Sequence, residues 1–329
     1  MKARIYQGTA RNLAYLAGRL RAGEVVAVPT ETVYGLAADA LSAPACRRIF
    51  AAKGRPADDP LIVHVHSLKD LARVAEANPA ALKLAKRFWP GPLTLVLPKK
   101  PVVPAVVSSG LASVAVRMPA HLLFRRLLKL TGRPLAAPSA NPFGYLSPTT
   151  AAHVQSHLGR KIRHILDGGA SQVGVESTIV DLRDPAHPRL LRPGQITRPQ
   201  IERVLRTRVV QGGKARGGRS APVVAPGQLA RHYSPHTPLV LHAKISVQTA
   251  QKGPASEAWL WQRRPAGIRP GKNLFWLDES GRPARAAQRL FAVLRRIDAA
   301  GFRRIHAELA RGGGLAEAIN DRLRRAAAA

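Results

Sequence analysis

Short apolar runs alternate with stretches of helical spacing over roughly the first 200 residues of the chain. Five runs have the length and β-branched content of strands: GEVVAVPT (23–30), PLIVHVH (60–66), LTLVLP (93–98), SVAVRMP (113–119) and STIVDL (177–182). Four stretches between them carry serine caps, terminal glycines or apolar residues at helical spacing: SAPACRRIFAAKG, SLKDLARVAEA, PAALKLAKRFW and HLLFRRLLKLTG. The alternation predicts an α/β domain built on a mixed sheet.

The periodicity stops at residues 206–228, where glycine, proline and basic residues dominate and predict a linker. After Thr237 the alternation resumes with the apolar runs PLVLHA, AWLWQ and NLFWL, the helical PARAAQRLFAVLRRIDAAG, a strand RIHAEL and a final helix. This pattern predicts a smaller Rossmann-like domain, although no G-x-G-x-x-G follows its first strand to support dinucleotide binding. We therefore assign a first domain to residues 1–206, a linker to 207–236 and a second domain to 237–329.

The charge balance is strongly positive, with 52 Lys and Arg against 19 Asp and Glu, a net charge of +33. Such a field attracts polyanions, including nucleotides, RNA and acidic membrane surfaces. The cations are scattered rather than grouped in one tract, and a proteome rich in arginine produces the same balance. Charge alone therefore does not establish contact with nucleic acid.

Cysteine usage and hydropathy point to a reducing, aqueous compartment. The one cysteine, Cys46, excludes an internal disulfide and a thiolate metal site. No run approaches the roughly 20 apolar residues that span a bilayer. The N-terminus lacks the apolar core of a secretory signal. We expect a cytoplasmic protein with no membrane partner.

The segment KGRP, from Lys53 to Pro56, ends the predicted helix SAPACRRIFAAKG. A cation in the last turn complements the helix dipole and Gly54 suits the cap, so an ordinary helix end accounts for Lys53. It does not account for Arg55, whose backbone is restricted to extended geometry by Pro56. A guanidinium fixed in this way suits a phosphate or a carboxylate, which makes the segment a candidate anion site.

Two further loops follow apolar runs. The loop APSANPFGYLSPTT can aim backbone N–H groups and the Ser139 hydroxyl at an anion while Asn141 donates an amide. Its alternative role is a polar turn that caps a helix beginning near Ser147 or Thr149. The loop PTETVYGLAADA can line a small polar pocket at a strand end, or it is an ordinary loop with Tyr34 in the core.

Generic motifs of nucleotide, metal and hydrolase chemistry are absent from the sequence. There is no G-x-x-x-x-G-K-[ST], H-E-x-x-H, G-x-S-x-G or paired-cysteine zinc pattern. His64 and His66 alternate along a predicted strand and share one face, but metal binding needs a third ligand that the sequence does not identify. A core or edge histidine is the commoner case.

Seven motifs occur in the order and rough spacing of the YrdC-like family: PTETVYGL, KGRP…PLIVH, VAVRMP, PSAN, ESTIVD, RPG and HYSP. With the added second domain, the chain resembles the long, two-domain form of that family over nearly all of its 329 residues, most weakly in the final domain. The resemblance implies a YrdC-like twisted mixed sheet with flanking helices, plus a smaller Rossmann-like C-terminal α/β domain.

The family's activity implies a nucleotidyltransferase that condenses L-threonine, bicarbonate and ATP to threonylcarbamoyl-adenylate and releases pyrophosphate. A downstream tRNA threonylcarbamoyl transferase complex then modifies N6 of adenosine 37 in tRNAs that read ANN codons. Mg²⁺ is the expected cofactor, with ATP as substrate, and the charge leaves direct tRNA contact open. The alternative is a non-enzymatic protein that binds double-stranded RNA or tRNA. A carbamoyl-transfer module is a third reading, but its acylphosphatase-like and zinc-finger segments are not visible.

The resemblance also implies roles for individual residues. It implies catalytic roles for Lys53, Arg55, Ser139 and Asn141. It implies threonine binding by Thr32, His64, Arg117, Ala137 and Ser177. It implies nucleotide binding by Arg55, Asp59, Ser113, Ser139, Ser147, Arg192 and Tyr233. At Asp59 the family usually has asparagine, and an ionised aspartate repels phosphate unless it binds magnesium or turns away.

Charge repulsion is the main obstacle to the implied reaction, because a carbamate oxygen must attack the α-phosphorus of a polyanion. Catalysis should therefore rest on cations and positioning rather than on a protein nucleophile. Lys53 and Arg55 would neutralise phosphate, Arg117 would clamp the threonine carboxylate and Thr32 would hold its hydroxyl. We expect residues 221–235 of the linker to act as a lid that excludes water from the labile intermediates.

Overall fold

The computed structural model describes residues 2–212, 224–227 and 232–328. The strands are β1 (Arg4–Tyr6), β2 (Val26–Val28), β3 (Gly35–Asp39), β4 (Ile62–His64), β5 (Leu93–Pro98), β6 (Ser113–Arg117), β7 (Leu135–Ala136), β8 (His164–Leu166), β9 (Thr178–Asp181), β10 (Arg189–Arg192), β11 (Val210–Gln211), β12 (Leu239–His242), β13 (Glu257–Arg263), β14 (Leu274–Asp278) and β15 (Arg304–Glu308). The helices are α1 (Ala10–Arg21), α2 (Ala43–Lys53), α3 (Leu68–Val74), α4 (Pro79–Phe88), α5 (Ala105–Ser108), α6 (Leu122–Thr131), α7 (Ala151–Leu158), α8 (Arg198–Leu205), α9 (Val247–Lys252), α10 (Pro283–Ala299) and α11 (Leu315–Ala327).

The first domain is built on an 11-stranded sheet in the order β1-β8-β2-β3-β7-β4-β6-β5-β9-β10-β11. The sheet is mixed: β4 pairs with β6 in parallel, whereas β5 and β6 are antiparallel. All five apolar runs predicted as strands in this domain contain one, and all four predicted helices form. The predicted α/β fold with a mixed sheet is therefore confirmed.

The two faces of the central strands have different neighbours, because successive side chains of a strand point to opposite faces. One face belongs to the main apolar core with α2, α3 and α4, and its strand residues are Val63, Leu95, Val116 and Val180. The other face carries a smaller cluster made of Ile62, Val96, Ala115, Ile179 and Leu191, on which Val224 and Ala225 of the linker pack. These two described residues of the linker therefore lie on the second face.

Helix α2 begins and ends as its sequence predicts. The Ser42 hydroxyl accepts a hydrogen bond from the N–H of Ala45 at 3.4 Å, which caps the first turn. Gly54 ends the helix with a left-handed φ of 64°, a conformation that glycine adopts without a steric cost. Lys53 therefore occupies the last turn, and Arg55 is the first residue after the cap.

Some elements were not predicted from the sequence. Residues expected to belong to a loop, in PTETVYGLAADA, include the strand β3, which pairs with β2 on one side and β7 on the other. Its glycine and alanine residues have low β propensity, so neighbouring strands rather than local preference determine its conformation.

The helix expected near Ser147 or Thr149 is α7, which begins at Ala151 after a Thr150 cap. Tyr34 is in the core, as the alternative reading of its loop predicted.

The C-terminal domain is a four-stranded sheet in the order β12-β15-β13-β14, and all of its pairs are parallel. This confirms the smaller Rossmann-like α/β domain. β11, which falls inside the segment assigned to the linker, pairs with β10 and extends the sheet of the first domain. The domain bounds themselves stay a prediction.

The two domains share one apolar cluster. Helices α10 and α11 pack on the C-terminal sheet and also contact the first domain, where Val33, Leu146 and Val175 join the same cluster as Phe291 and Leu323. The C-terminal domain therefore sits directly against the loops that follow β2 and β7. Among the residues that the structure describes, no helix is long and apolar enough to cross a membrane.

Candidate active site

A cavity of about 40 Å³ lies on the sheet face, beneath the linker residues Pro226, Gly227, His232 and Tyr233. Most of the residues assigned from the sequence line it: Thr32, Arg55, His64, Arg117, Ala137, Ser139, Ser177, Arg192 and Tyr233. It is also lined by residues that were not assigned: Thr30, Val33, Gly35, Ile62, Pro138, Glu176, Pro226, Gly227 and His232. Since one water needs roughly 10–15 Å³ of such space, the cavity has room for a few waters and not for a nucleotide.

Lys53 lies behind the cavity wall and holds the loop that follows β7. Its Nζ donates hydrogen bonds to the carbonyl oxygens of Ser139 and Asn141, each at 2.5 Å. Burial and the nearby charge of Arg55 hold the pKa of Lys53 well below its ordinary value. An anion in the cavity would reverse that effect, because it favours the charged ammonium.

Arg55 reaches the cavity while its guanidinium is anchored from one side. Nε donates to the carbonyl of Asp59 at 3.0 Å and Nη2 donates to the carbonyl of Pro60 at 2.8 Å. Nη2 also lies 2.8 Å from Oδ2 of Asp59, and both side chains are almost fully buried. Asp59 therefore turns toward Arg55. Burial raises the pKa of Asp59 even though the charge of Arg55 lowers it.

Arg117 ends β6 beside the threonine-assigned residues. Its Nη1 donates to the Thr32 hydroxyl at 2.9 Å, and its Nη2 lies 2.6 Å from Oε1 of Glu31. The Thr32 hydroxyl also shares a hydrogen bond of 2.8 Å with the Thr30 hydroxyl. Burial and then the charge of Arg117 lower the pKa of His64 to about 3, so its imidazole is neutral at pH 7.

Ser177 and Arg192 connect the threonine-assigned side of the cavity with the linker. The Ser177 hydroxyl lies 2.7 Å from the Thr94 hydroxyl and accepts a hydrogen bond from Nη2 of Arg192 at 3.1 Å. Nε of Arg192 donates to the Ser177 carbonyl at 3.0 Å, and its Nη1 donates to the Pro226 carbonyl at 3.2 Å. One guanidinium therefore contacts the strand wall and the segment that covers it.

The covering segment consists of Pro226, Gly227, His232 and Tyr233 among the described residues. Gly227 has a φ of +79°, and a Cβ there would lie 2.8 Å from the Tyr233 hydroxyl oxygen. Tyr233 has a φ of 63° and is almost completely buried. The predicted lid also includes 221–223 and 228–231, which lie outside the described residues.

Four assigned residues lie around the cavity rather than in its wall, in addition to Lys53. Asp59 pairs with Arg55, and the Ser147 hydroxyl donates to Oε1 of Glu176 at 2.5 Å. The Asn141 amide donates to the carbonyls of Pro142 and Tyr145, each at 2.8 Å, so it shapes its own loop. Ser113 is buried at the start of β6.

Carboxylates near the site were the main omission of the sequence reading. Glu176 lines the cavity beside Ser177. Glu31 does not line the cavity, but its carboxylate contacts the guanidinium of Arg117. Glu31 belongs to the motif PTETVYGL and Glu176 to the motif ESTIVD. Both carboxylates were therefore visible in the sequence, but neither motif indicates that its glutamate pairs with an arginine. The partner of Glu176 is Arg322, which comes from the last helix.

The site does not supply a preformed cage for a metal ion. Among the described residues, no group of three or more His, Cys, Asp and Glu side chains could hold one. The buried carboxylates Glu31, Asp59 and Glu176 each contact an arginine. His66 lies beyond the end of β4 and does not line the cavity with His64.

Comparison with known proteins agrees with this geometry over both domains. A family model for Sua5, YciO and YrdC, described as telomere recombination, matches residues 19–194. A second model, described as the threonylcarbamoyl-AMP synthase C-terminal domain, matches residues 196–328. The fold and the cavity thus define a YrdC-like protein with an additional C-terminal domain.

Whole-length relatives make the relationship specific. The threonylcarbamoyl-AMP synthase of Pyrococcus abyssi is 43% identical over 94% of this chain and 92% of its own length. That of Bacillus subtilis is 40% identical over 96% of this chain and 92% of its own. The crystal structure of P. abyssi Sua5 complexed with L-threonine superposes with a TM-score of 0.87 at 40% identity, covering 99% of this chain and 98% of that one. The chain belongs to the Sua5/YciO/YrdC family.

Proposed function

We infer that this chain is an L-threonylcarbamoyladenylate synthase, which condenses L-threonine, bicarbonate and ATP and releases pyrophosphate. The observation that carries the inference is the match over both domains to proteins named threonylcarbamoyl-AMP synthase, at 40% and 43% identity. The cavity supports it, because residues assigned to threonine and to nucleotide meet on one sheet face. The alternative, a non-enzymatic RNA-binding protein, is not favoured by these relatives.

Catalysis in this proposal rests on charge and position. The threonine amine forms a C–N bond to the carbon of CO₂, one C=O π bond opens and the amine loses a proton; with bicarbonate as the reactant, a C–O bond breaks and water leaves with that proton. The resulting carbamate oxygen then attacks the α-phosphorus of ATP, and the bond to pyrophosphate breaks. Arg55 and Arg192 would offset phosphate charge, while Arg117 would hold the threonine carboxylate beside Thr32. Fixed donors of this kind stabilise charge without reorganising during the reaction. No protein nucleophile is needed.

Magnesium is proposed to accompany ATP rather than to reside in the protein. Mg²⁺ keeps several waters and is commonly held by substrate phosphates with one or two carboxylates. Asp59 is the carboxylate that contacts Arg55, one of the proposed phosphate contacts, but its Oδ2 already pairs with that arginine. When bound with ATP, the ion would neutralise part of the phosphate charge.

The segment that covers the cavity is proposed to open for substrates and to close during the reaction. The cavity of about 40 Å³ is far smaller than ATP, so Pro226, Gly227 and Tyr233 must move for binding. Closure would exclude water from the carbamate and the adenylate, both of which hydrolyse.

The product is then proposed to pass to a transferase complex that modifies adenosine 37 of tRNAs that read ANN codons. Direct contact of this chain with tRNA is a separate proposal that rests on the +33 charge.

The function is tested by incubating the full chain with ATP, L-threonine and bicarbonate and detecting the adenylate by mass. Pyrophosphate release should require both threonine and bicarbonate. Omission of either substrate is the matched control, and omission of Mg²⁺ tests the cofactor. Release that ignores threonine, or RNA binding without any release, would contradict the proposal.

A further inference from the structure

Arg322, in the last helix of the chain, has a side chain that is 0% exposed. A buried guanidinium is stable only when its donors are paired. Its Nε donates to Oε2 of Glu176 at 2.9 Å, and its Nη2 donates to the Glu176 carbonyl at 3.3 Å. Its Nη1 donates to the Pro193 carbonyl at 2.7 Å and to Oδ2 of Asp321 at 3.0 Å. Except for Asp321, these partners belong to the first domain.

Through Glu176 this arginine reaches the nucleotide-assigned side of the cavity. One carboxylate oxygen of Glu176 takes the hydrogen bond from Arg322, and the other accepts the Ser147 hydroxyl at 2.5 Å. Burial opposes ionisation of Glu176, but the charges of Arg322 and Arg192 outweigh it and lower its pKa. The carboxylate is therefore a fixed acceptor that holds the Ser147 side chain in one orientation.

A second arginine of the C-terminal domain holds the main chain of the same loop. Arg295, on α10, donates from Nε to the Ser147 carbonyl at 3.3 Å and from Nη2 to the Leu146 carbonyl. One turn further on, Asp298 accepts the Tyr145 hydroxyl at 2.7 Å. The loop before α7 is therefore held at its side chain by α11 and at its backbone by α10.

The same helices also hold the aromatic residue of the covering segment. The Cζ atom of Arg322 lies 5.5 Å from the centroid of the Tyr233 ring, within the range of a cation–π contact. On α10, Phe291 lies 5.5 Å from the same ring, centroid to centroid. Tyr233 is therefore packed between the C-terminal domain and the cavity.

Simple adhesion between domains is the competing explanation of these contacts. Adhesion is already provided by the apolar cluster in which Val33 and Leu146 pack with Ala287, Leu290 and Phe291. The polar contacts differ because they converge on Ser147, Glu176 and Tyr233, two of which line the cavity. Their convergence is not needed for adhesion.

We propose that the C-terminal domain positions the nucleotide side of the active site: Arg322, through Glu176, and Arg295, through the loop backbone, are positioning residues for Ser147 and Tyr233. Neither arginine lines the cavity, so neither is a catalytic residue. The inference deepens the proposed function and rests on it for the identity of the nucleotide as ATP.

The test compares Arg322→Ala with Arg324→Ala in the full chain, because Arg324 is an exposed arginine on the same helix. In Arg322→Ala we expect the KM for ATP to rise about 10- to 100-fold, as when a supporting hydrogen-bond partner of a binding site is removed. The KM for threonine should change much less, and Arg324→Ala should match the wild type. An equal rise in both KM values would indicate general loosening and would overturn the proposal, as would an unchanged KM for ATP.

Milder variants keep the proposal testable if Arg322→Ala does not fold, which thermal unfolding will report. Arg322→Lys keeps the charge but loses the planar fork, and Glu176→Gln keeps the shape but loses the charge. Both should weaken ATP binding by titration calorimetry, and the double variant should lose less than the sum of the two. Additive losses, or no weakening, would contradict the network. Calorimetry measures ATP binding without turnover. If the wild type binds ATP but makes no product, the proposed function is contradicted, and the effect of the variants on ATP binding still tests this inference.

Discussion

Nη2 of Arg55 lies 2.8 Å from Oδ2 of Asp59, and the two side chains are 2% and 1% exposed. The sequence offered two ways to reconcile an aspartate with a phosphate site, magnesium binding or a turn away from the phosphate. In the structure the aspartate pairs with an arginine that is itself assigned to phosphate. The same aspartate also competes with an incoming phosphate for the guanidinium, since both are anions that seek the same donors.

Replacement of Asp59 by asparagine should separate its structural effect from its effect on ATP. We expect the free protein to lose about 3 kcal/mol of stability, because Arg55 is left buried without a counter-charge. We expect ATP to restore more stability in the variant than in the wild type, since phosphate then meets less repulsion. Thermal unfolding with and without ATP measures both effects. Asp58→Asn, at an exposed neighbouring residue, is the control. If ATP stabilises Asp59→Asn less than the wild type, Asp59 does not compete with phosphate for Arg55.

Removal of Arg55 should cost both turnover and stability. Arg55→Ala deletes a donor aimed at phosphate, a loss that typically lowers turnover about 100- to 1,000-fold. It also strands the Asp59 carboxylate, which destabilises the fold. The double variant Arg55→Ala with Asp59→Asn should recover stability while remaining inactive. Steady-state pyrophosphate release measures the effect on turnover, and urea unfolding measures the effect on stability. Recovery of activity in the double variant would contradict the assignment of Arg55 to the active site.

A methyl group at Gly227 should interfere with closure of the covering segment. Gly227→Ala introduces a Cβ 2.8 Å from the Tyr233 hydroxyl oxygen and 3.1 Å from Nη1 of Arg192, at a φ of +79°. We expect fewer intact adenylates per pyrophosphate released, because water reaches the product before it leaves. Mass detection of the adenylate beside a pyrophosphate assay gives the ratio.

Gly267→Ala is the matched control for that experiment. Its φ of +70° imposes similar backbone strain, but no atom lies within 4 Å of the added Cβ. Both variants should lose about 1–2 kcal/mol of stability from the left-handed conformation. If the ratio of adenylate to pyrophosphate falls equally in both, strain rather than closure is responsible.

Local features of the site were predictable from the sequence, because each is encoded by neighbouring residues. The Ser42 and Gly54 caps place Lys53 at the end of α2, and the strand β4 follows the KGRP turn. The ion pairs were not predictable. Arg322 and Glu176 are 146 positions apart, and only the packing of α11 against the first domain brings them together. The strand β3 was missed for the same reason, since its neighbours determine it.

Buried neutral histidines should make the fold sensitive to acid. Burial lowers the pKa of His64 and of His232 to about 3, whereas an unfolded histidine titrates near 6.5. Between these values the unfolded chain binds more protons than the folded one, so stability is full above pH 6.5 and is lost as the pH falls below it. Each such histidine should remove about 2 kcal/mol between pH 7.5 and pH 5.

Variants at His64 isolate this effect from the titration of other groups. Urea unfolding of the wild type and of His64→Gln at pH 7.5 and pH 5 should show a smaller loss in the variant, because glutamine takes up no proton. His187→Gln, at an exposed histidine, should lose as much as the wild type. The measured quantity is the difference in the free energy of unfolding between pH 7.5 and pH 5. A variant that is destabilised equally at both pH values therefore still gives a valid comparison. Identical losses in the wild type and His64→Gln would mean that His64 takes up a proton as readily in the folded protein as in the unfolded chain, which would contradict the prediction.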